Sequence, residues 1–185
     1  EAKALFAARG YRGLSMREIA EAVGISKAGI YYHFRDKEEL FAAMLHRYLL
    51  QLADLIAAPQ AGGSARRQLE ETVRVILRQP AQDRSLVRMA SQEIAHLSEP
   101  ARRRFDAAYD ELFVGRLRAL IVAGIEHGEL RPVDPQTATW ALLGMMYPYF
   151  TPAGPGQASF PPDSVVDDLL AIYFDGLSRS GNTTE

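Results

Sequence analysis

The sequence predicts an all-α protein in which an N-terminal head of three short helices is joined to a larger helical body. Three observations support this fold class. Apolar residues recur three and four positions apart along most of the 185-residue chain. No segment alternates apolar and polar residues as a half-buried strand does. Signals for helix starts, two of them capping boxes, recur along the sequence. The hydrophobic content of 48% is enough for a well-buried core.

The three helices of the head are short and closely spaced. We place them at residues up to Gly10, at 16–23 and at 27–34. Ser15 and Glu18 form an S-x-x-E capping box at the start of the second helix. Gly24 permits the turn that follows, because glycine adopts a positive φ without steric cost. Ile25 is expected to plug this turn, and Ser26 to cap the third helix.

The fourth helix is expected to run from the head into the body. It begins at Asp36, whose capping partner is Glu39, and ends near Pro59. We place the boundary within this helix, with a first domain at 1–46 and a second at 47–180. Loops are expected near 60–63 and at 151–162, where Pro and Gly are frequent, and disorder in the tail at 180–185. Five further helices are predicted near 65–79, 83–97, 100–126, 135–147 and 164–178.

Composition excludes several classes of protein. The chain has no cysteine, which excludes disulfides, thiolate catalysis and cysteine metal sites. No apolar run approaches the ~20 residues that span a bilayer, and no signal peptide is recognisable. We therefore expect a soluble, cytoplasmic protein with no membrane partner. The net charge is −2 overall, but residues 1–47 carry +2 and include all three lysines of the chain.

Residues 15–37 contain the most specific pattern in the chain, a helix, a tight turn and a second short helix. The second of these helices directs Ile30 and Phe34 inward. Lys27, Tyr31 and Tyr32 lie mostly on its other side. A short helix with a lysine, small residues and tyrosines on its outer face fits a major groove ~12 Å wide.

Residues 10–45 resemble the DNA-binding head of TetR-family transcriptional regulators. The resemblance rests on Gly10-Tyr11, Ser15, Ile19-Ala20, Ala22, Gly24-Ile25-Ser26, Gly29, Tyr31, His33-Phe34, Lys37 and Leu40. It implies a homodimeric regulator, most often a repressor, that binds a palindromic double-stranded operator and is released by a small effector bound in the body. The resemblance weakens beyond Leu45, where the body of this family varies.

By resemblance, the DNA-binding residues divide into two groups. Those expected to face base edges are Arg17, Lys27, Ala28, Gly29 and Tyr31. Those expected to face phosphates are Ser15, Ser26, Tyr32, His33 and Lys37. Arginine and lysine suit guanine O6 and N7, whereas hydroxyls and helix N-termini suit phosphate. Alternative interpretations are that Tyr31 packs in the core, that His33 only holds the head together, and that Arg17 lies on a solvated face.

Large aromatic and methionine side chains are concentrated between residues 89 and 150. We expect an apolar effector cavity lined by Met89, Phe105, Tyr109, Phe113, Trp140 and Tyr147, with His96 near its mouth. For any one of these residues, ordinary core packing is the alternative. The resemblance leaves the effector open between acyl-CoA or related thioesters and flat drugs or flavonoids.

The last two predicted helices are expected to form the homodimer interface. The eighth offers the small residues Ala138, Ala141 and Gly144. The ninth offers an apolar stripe of Val165, Leu169, Ile172, Tyr173 and Leu177. The alternative is that the ninth helix folds onto its own body.

Sequence motifs of enzymes are absent from the chain. There is no G-x-S-x-G, P-loop or G-x-G-x-x-G, so we expect neither catalysis nor a cofactor. Glu93 and His96 have the E-x-x-H spacing of carboxylate-bridged metal sites, but such sites need a second copy, so no metal is expected. The rival interpretation is a helical ligand-binding or interaction protein whose head no longer binds DNA.

Overall fold

The computed structural model describes residues 2–57, 63–150 and 161–177, and within these ranges all regular secondary structure is helical. The all-α prediction is confirmed. The predicted loops near 60–63 and at 151–162 lie largely outside the described residues, and the tail lies wholly outside them. The α-helices are α1 Ala2–Arg9, α2 Met16–Ala22, α3 Lys27–His33, α4 Lys37–Ala57, α5 Ala65–Leu77, α6 Ala81–Glu93, α7 Glu99–Tyr109, α8 Gly115–Glu126, α9 Pro135–Met146 and α10 Asp163–Leu177.

The local signals of the head are confirmed with one exception. The Ser15–Glu18 capping box is present, and Gly24 has a φ of +74°. The prediction that Ile25 fills the inside of the turn is wrong, because its side chain is 43% exposed. Of the nearby apolar residues, Ile30 is buried in the core and Val23 packs partly buried against it.

The second capping box forms only in part. The Asp36 carboxylate accepts the Glu39 N–H at 2.8 Å, as predicted. The Glu39 carboxylate, however, accepts the Arg35 N–H at 2.8 Å, one residue before the predicted donor. The hydrogen bond from Glu39 also lowers the pKa of Asp36, which keeps this cap charged.

The predicted helix at 100–126 is interrupted by a π-helical turn at Asp110–Val114, between α7 and α8. The Gly115 N–H donates to the Asp110 carbonyl, five residues back. A Cβ at Gly115 would lie 2.8 Å from that carbonyl oxygen, so glycine is what permits the close approach. Two 3₁₀ turns end predicted helices: Ile94–His96 follows α6 within the helix predicted at 83–97, and Tyr147–Phe150 continues α9 across Pro148, past its predicted end.

Helix α4 joins the head to the body through one continuous core. Its buried residues begin with Leu40 and Phe41 in the head and continue to Leu52 in the body. In the head, the Phe41 ring packs 5.1 Å from Phe6 and 4.9 Å from Tyr11. By length and composition alone α4 could cross a bilayer, but its apolar face is used in this core.

Two polar contacts also connect the head to the body. Lys3 of α1 forms an ion pair with Asp83 of α6 at 2.5 Å. Glu38, in the first turn of α4, accepts the Ser98 N–H at 2.7 Å and the Ser98 hydroxyl at 2.6 Å. Ser98 is the N-cap of α7, so the orientation of α7 is fixed against the start of α4.

Candidate nucleic-acid interface and body cavity

Helix α3 presents one face to the core and the other to solvent. Ile30 is buried, whereas Tyr31 is 46% and Tyr32 86% exposed. Lys27 and Ala28 in the first turn are exposed as well. The Lys27 ammonium lies 6.0 Å from the centre of the Tyr31 ring, close enough for a weak cation–π contact. The exposed face therefore combines a cation, a small residue and two phenols, and Tyr31 is not a core residue.

The start of α3 is closed by Ser26, whose hydroxyl accepts the Gly29 N–H at 3.0 Å. Gly29 is half-buried, and a Cβ there would lie 3.2 Å from the Ser26 hydroxyl oxygen. Its missing side chain thus accommodates the cap. His33 at the other end of α3 is exposed, with its ring 5.1 Å from that of Tyr32. This exposure argues against a purely internal role for His33.

The start of α2 is a network of hydrogen bonds around Glu18. Its carboxylate accepts the Ser15 N–H at 2.8 Å, the Ser15 hydroxyl at 2.7 Å and the Arg9 guanidinium at 2.8 Å. The Ser15 hydroxyl bond, followed by that from Arg9, lowers the pKa of Glu18 to about 2. Arg17 is exposed and lies 3.7 Å from Glu21 on the same helix, a weak pair that leaves its guanidinium available.

Lys37 has a structural role that the sequence did not reveal. Its ammonium donates to the carbonyls of Tyr11 and Leu14, both at 2.7 Å, and lies 4.4 Å from the centre of the Tyr11 ring. These contacts hold the segment between α1 and α2 against α4. The Lys37 ammonium has three N–H donors, so one is left for a phosphate. The phosphate contact of Lys37 stays a prediction.

The body contains a cavity of about 460 Å³ between α6, α7 and α9. It is lined by Val87, Ile94, Phe105, Asp106, Tyr109, Trp140, Leu143, Gly144, Tyr147 and Phe150. Four of the predicted residues are therefore brought together: Phe105, Tyr109, Trp140 and Tyr147. The Phe105 and Tyr109 rings stack with centres 5.7 Å apart. Burial raises the pKa of Tyr109 to about 12, so its hydroxyl is protonated at neutral pH.

Three predicted cavity residues are not part of this lining. Met89 and Phe113 are buried in the core. Phe113 lies in the π-helical turn and is fully buried, with its ring centre 5.5 Å from that of Tyr109. His96 is exposed, two residues after the lining residue Ile94.

Several lining residues were missed by the sequence reasoning although a signal was present. Leu143 and Gly144 follow Trp140 at helical spacing, and Val87 and Ile94 are seven positions apart near the end of α6. Asp106 gave no such signal, because a single acidic residue on a helix is usually solvated.

Only some of the residues predicted to form the dimer interface on α9 and α10 are exposed. Ala138, Leu169 and Tyr173 are buried within the chain itself, and the Tyr173 hydroxyl donates to the Ala138 carbonyl at 3.0 Å. These three belong to the core of the body and not to an open interface. The predicted residues that stay exposed are Ala141, Gly144 and Ile172, and Val165 is half-buried; the Leu177 side chain lies outside the described residues.

Comparisons with known proteins agree over nearly the whole chain. Residues 1–44 match the sequence model of bacterial regulatory proteins of the tetR family, and residues 62–176 match that of the tetracyclin repressor-like C-terminal domain. The HTH-type transcriptional repressor KstR2 of Rhodococcus jostii (strain RHA1) is 29% identical over 190 residues, which cover 98% of this chain and 89% of the relative.

Solved structures share the same architecture. PfmR, a TetR family transcriptional regulator of Thermus thermophilus, is 29% identical with a TM-score of 0.78 and 97% of each chain covered. AibR, solved in complex with isovaleryl coenzyme A and operator DNA, is 27% identical with a TM-score of 0.74 and 92% of each chain covered.

Proposed function

Because this chain belongs to the tetR family of bacterial regulatory proteins, and so is a ligand-responsive DNA-binding transcriptional regulator, we propose that it is a repressor. It binds a near-palindromic operator through α2 and α3 and leaves it when an apolar or amphipathic effector occupies the body cavity. The observation that carries this proposal is α3, which is buried at Ile30 and exposed at Lys27, Tyr31 and Tyr32. Regulators of this family are generally not enzymes.

The DNA contacts follow from which side chains are exposed. Lys27 has the chemistry to contact guanine O6 and N7, and Ala28 to contact a thymine methyl. Arg17 and Tyr31 flank them, and Gly29 lets the helix approach closely. The residues assigned to phosphates are Ser15, Ser26, Tyr32, His33 and Lys37. Tyr32 is the best placed of these because it is 86% exposed.

We assign residues 1–46 to the DNA-binding domain and 47–180 to effector binding and dimerisation. The exposed residues Ala141 of α9 and Ile172 of α10 are the proposed contacts with a second copy; Gly144 is also exposed but lines the cavity. A twofold dimer would place the two α3 helices ~34–36 Å apart, one turn of DNA. Light scattering at micromolar concentration should give a dimer, and Ile172→Asp should give a monomer; a wild-type monomer would contradict this assignment.

The DNA-binding experiment begins with selection of an operator from random duplexes. Lys27→Ala should lose preference for that operator. Arg47→Ala is the control and should keep it, because Arg47 is an exposed cation on α4, outside α3. Both variants and the wild type are compared by electrophoretic mobility at two salt concentrations, because phosphate contacts depend on salt. Failure of the wild type to bind any duplex would favour the rival, a helical ligand-binding protein without DNA affinity.

Effector binding can be followed through Trp140, the single tryptophan of the chain, which lines the cavity. A ligand that enters the cavity should change its fluorescence and release the operator at the same concentration. Acyl-CoA thioesters are one class to test, because AibR was solved with isovaleryl coenzyme A. A compound that releases DNA without affecting Trp140 would contradict the assignment of this cavity.

A further inference from the structure

The effector cavity has an uneven distribution of charge. Among the lining residues that the structure describes, Asp106 is the one charged side chain, and no lysine, arginine or histidine contributes. Asp106 is exposed, and its carboxylate makes no hydrogen bond or ion pair with any described residue. Two neighbouring acids on this stretch are paired: Asp110 with Arg118 at 3.2 Å and Glu99 with Arg103 at 2.7 Å. The structure therefore leaves the Asp106 carboxylate available to a ligand.

The walls beside this carboxylate are aromatic. Phe105, Tyr109, Trp140 and Tyr147 all line the cavity, and half of the Trp140 surface is exposed. The face of an aromatic ring carries partial negative charge and attracts cations. Arg104 lines a separate groove of about 560 Å³ between α4 and α7. A ligand carboxylate placed at the rim would face Asp106 without a basic partner from the lining.

We propose that the effector is a lipophilic amine, an inference that rests on the effector cavity proposed above. Its apolar part fills the space between α6, α7 and α9, and its protonated nitrogen contacts the Asp106 carboxylate beside Trp140. The contact combines a partly exposed ion pair with a cation–π interaction, so an amine should bind on the order of tenfold more tightly than a neutral analogue of the same shape. An analogue with a carboxylate should bind more weakly than the neutral one.

The test uses three probes of one shape and different charge: para-phenylbenzylamine, para-phenylbenzyl alcohol and para-phenylbenzoate. Their affinities for the full chain are measured by isothermal titration calorimetry at neutral pH, and Trp140 fluorescence reports entry into the cavity. Asp106→Asn removes the carboxylate with little change in size. Glu111→Gln is the matched control, because Glu111 is an exposed acid of the adjacent π-helical turn that does not line the cavity.

For the wild type and for Glu111→Gln we expect the order amine, alcohol, carboxylate, with the amine ahead of the alcohol by on the order of tenfold. Asp106→Asn should reduce that ratio to about threefold or less, the part that the aromatic rings alone supply. Equal binding of the three probes, tighter binding of the carboxylate, or an undiminished amine preference in Asp106→Asn would overturn the inference and leave the cavity assignment intact. Failure of all three probes to bind would overturn both.

Discussion

Arg84 provides the most direct test of how the body is held together. It lies on α6 and is only 4% exposed. Its Nε donates to the Tyr149 carbonyl at 2.8 Å, and its Nη1 donates to the Leu77 carbonyl at 3.0 Å and to the Gln79 carbonyl. Two of these acceptors lie at the C-terminal end of α5, and the third lies in the 3₁₀ turn beside the cavity. One buried guanidinium therefore joins three segments.

Arg84→Met replaces the guanidinium with an apolar side chain of similar reach and leaves at least three carbonyls without this donor. A hydrogen bond to a charged group contributes ~1.5–3 kcal/mol. The variant also avoids the cost of burying a charge, which offsets part of the loss. We therefore expect the free energy of unfolding to fall by ~2–4 kcal/mol, a large part of the ~5–15 kcal/mol typical of a domain.

Urea unfolding followed by circular dichroism measures this difference. Arg78→Met is the control, because Arg78 is exposed and its ion pair with Asp163, at 3.0 Å, should contribute ~1 kcal/mol or less. Arg84→Lys should recover only part of the stability, since one ammonium cannot reproduce the planar arrangement of guanidinium donors. A loss for Arg84→Met no larger than that for Arg78→Met would refute the role assigned to these hydrogen bonds.

Three further predictions concern the head and the core. Lys27→Ala should weaken binding to the selected operator by ~1–3 kcal/mol with a loss of sequence preference, whereas Lys37→Ala should weaken all duplexes alike and also lower thermal stability. Gly124→Ala should lower the free energy of unfolding by ~1–3 kcal/mol, because a Cβ at position 124 would lie 2.9 Å from Leu130 Cδ1. Chemical unfolding measures this difference. Head stability should fall as the pH drops from 4.5 towards 2, because Glu18 has an ordinary pKa of 4.5 that is lowered to about 2 on folding. Glu18→Gln should remove that pH dependence, as followed by amide exchange.

The head was the part most accessible to sequence reasoning, because its signals are local. A capping box needs two residues three positions apart, and Ser15 with Glu18 formed it as predicted. The tight turn needed a positive φ, and Gly24 provides it. Lys37 shows the limit of such reasoning. Its hydrogen bonds to Tyr11 and Leu14 span more than twenty positions, and no sequence pattern indicates them.

The cavity could be predicted only in part. Phe113 follows Phe105 and Tyr109 at helical spacing, but it is fully buried in the core and does not line the cavity. The same regularity suggested one apolar stripe on α10, whereas Leu169 and Tyr173 are buried within the chain and Ile172 is exposed. Periodicity identifies an apolar face but does not say which neighbour covers it.

The contacts of α6 and α7 give a physical route from the cavity to the head. On α6, Asp83 pairs with Lys3 of the head, and the next residue, Arg84, holds the 3₁₀ turn that contributes Tyr147 and Phe150 to the cavity. On α7, Ser98 bonds to Glu38 of α4, and Phe105 lines the cavity two turns later. Because the core is continuous from head to body, displacement of either helix should shift the head or break these contacts. An effector can use this route only if it binds the DNA-free arrangement more tightly than the DNA-bound one.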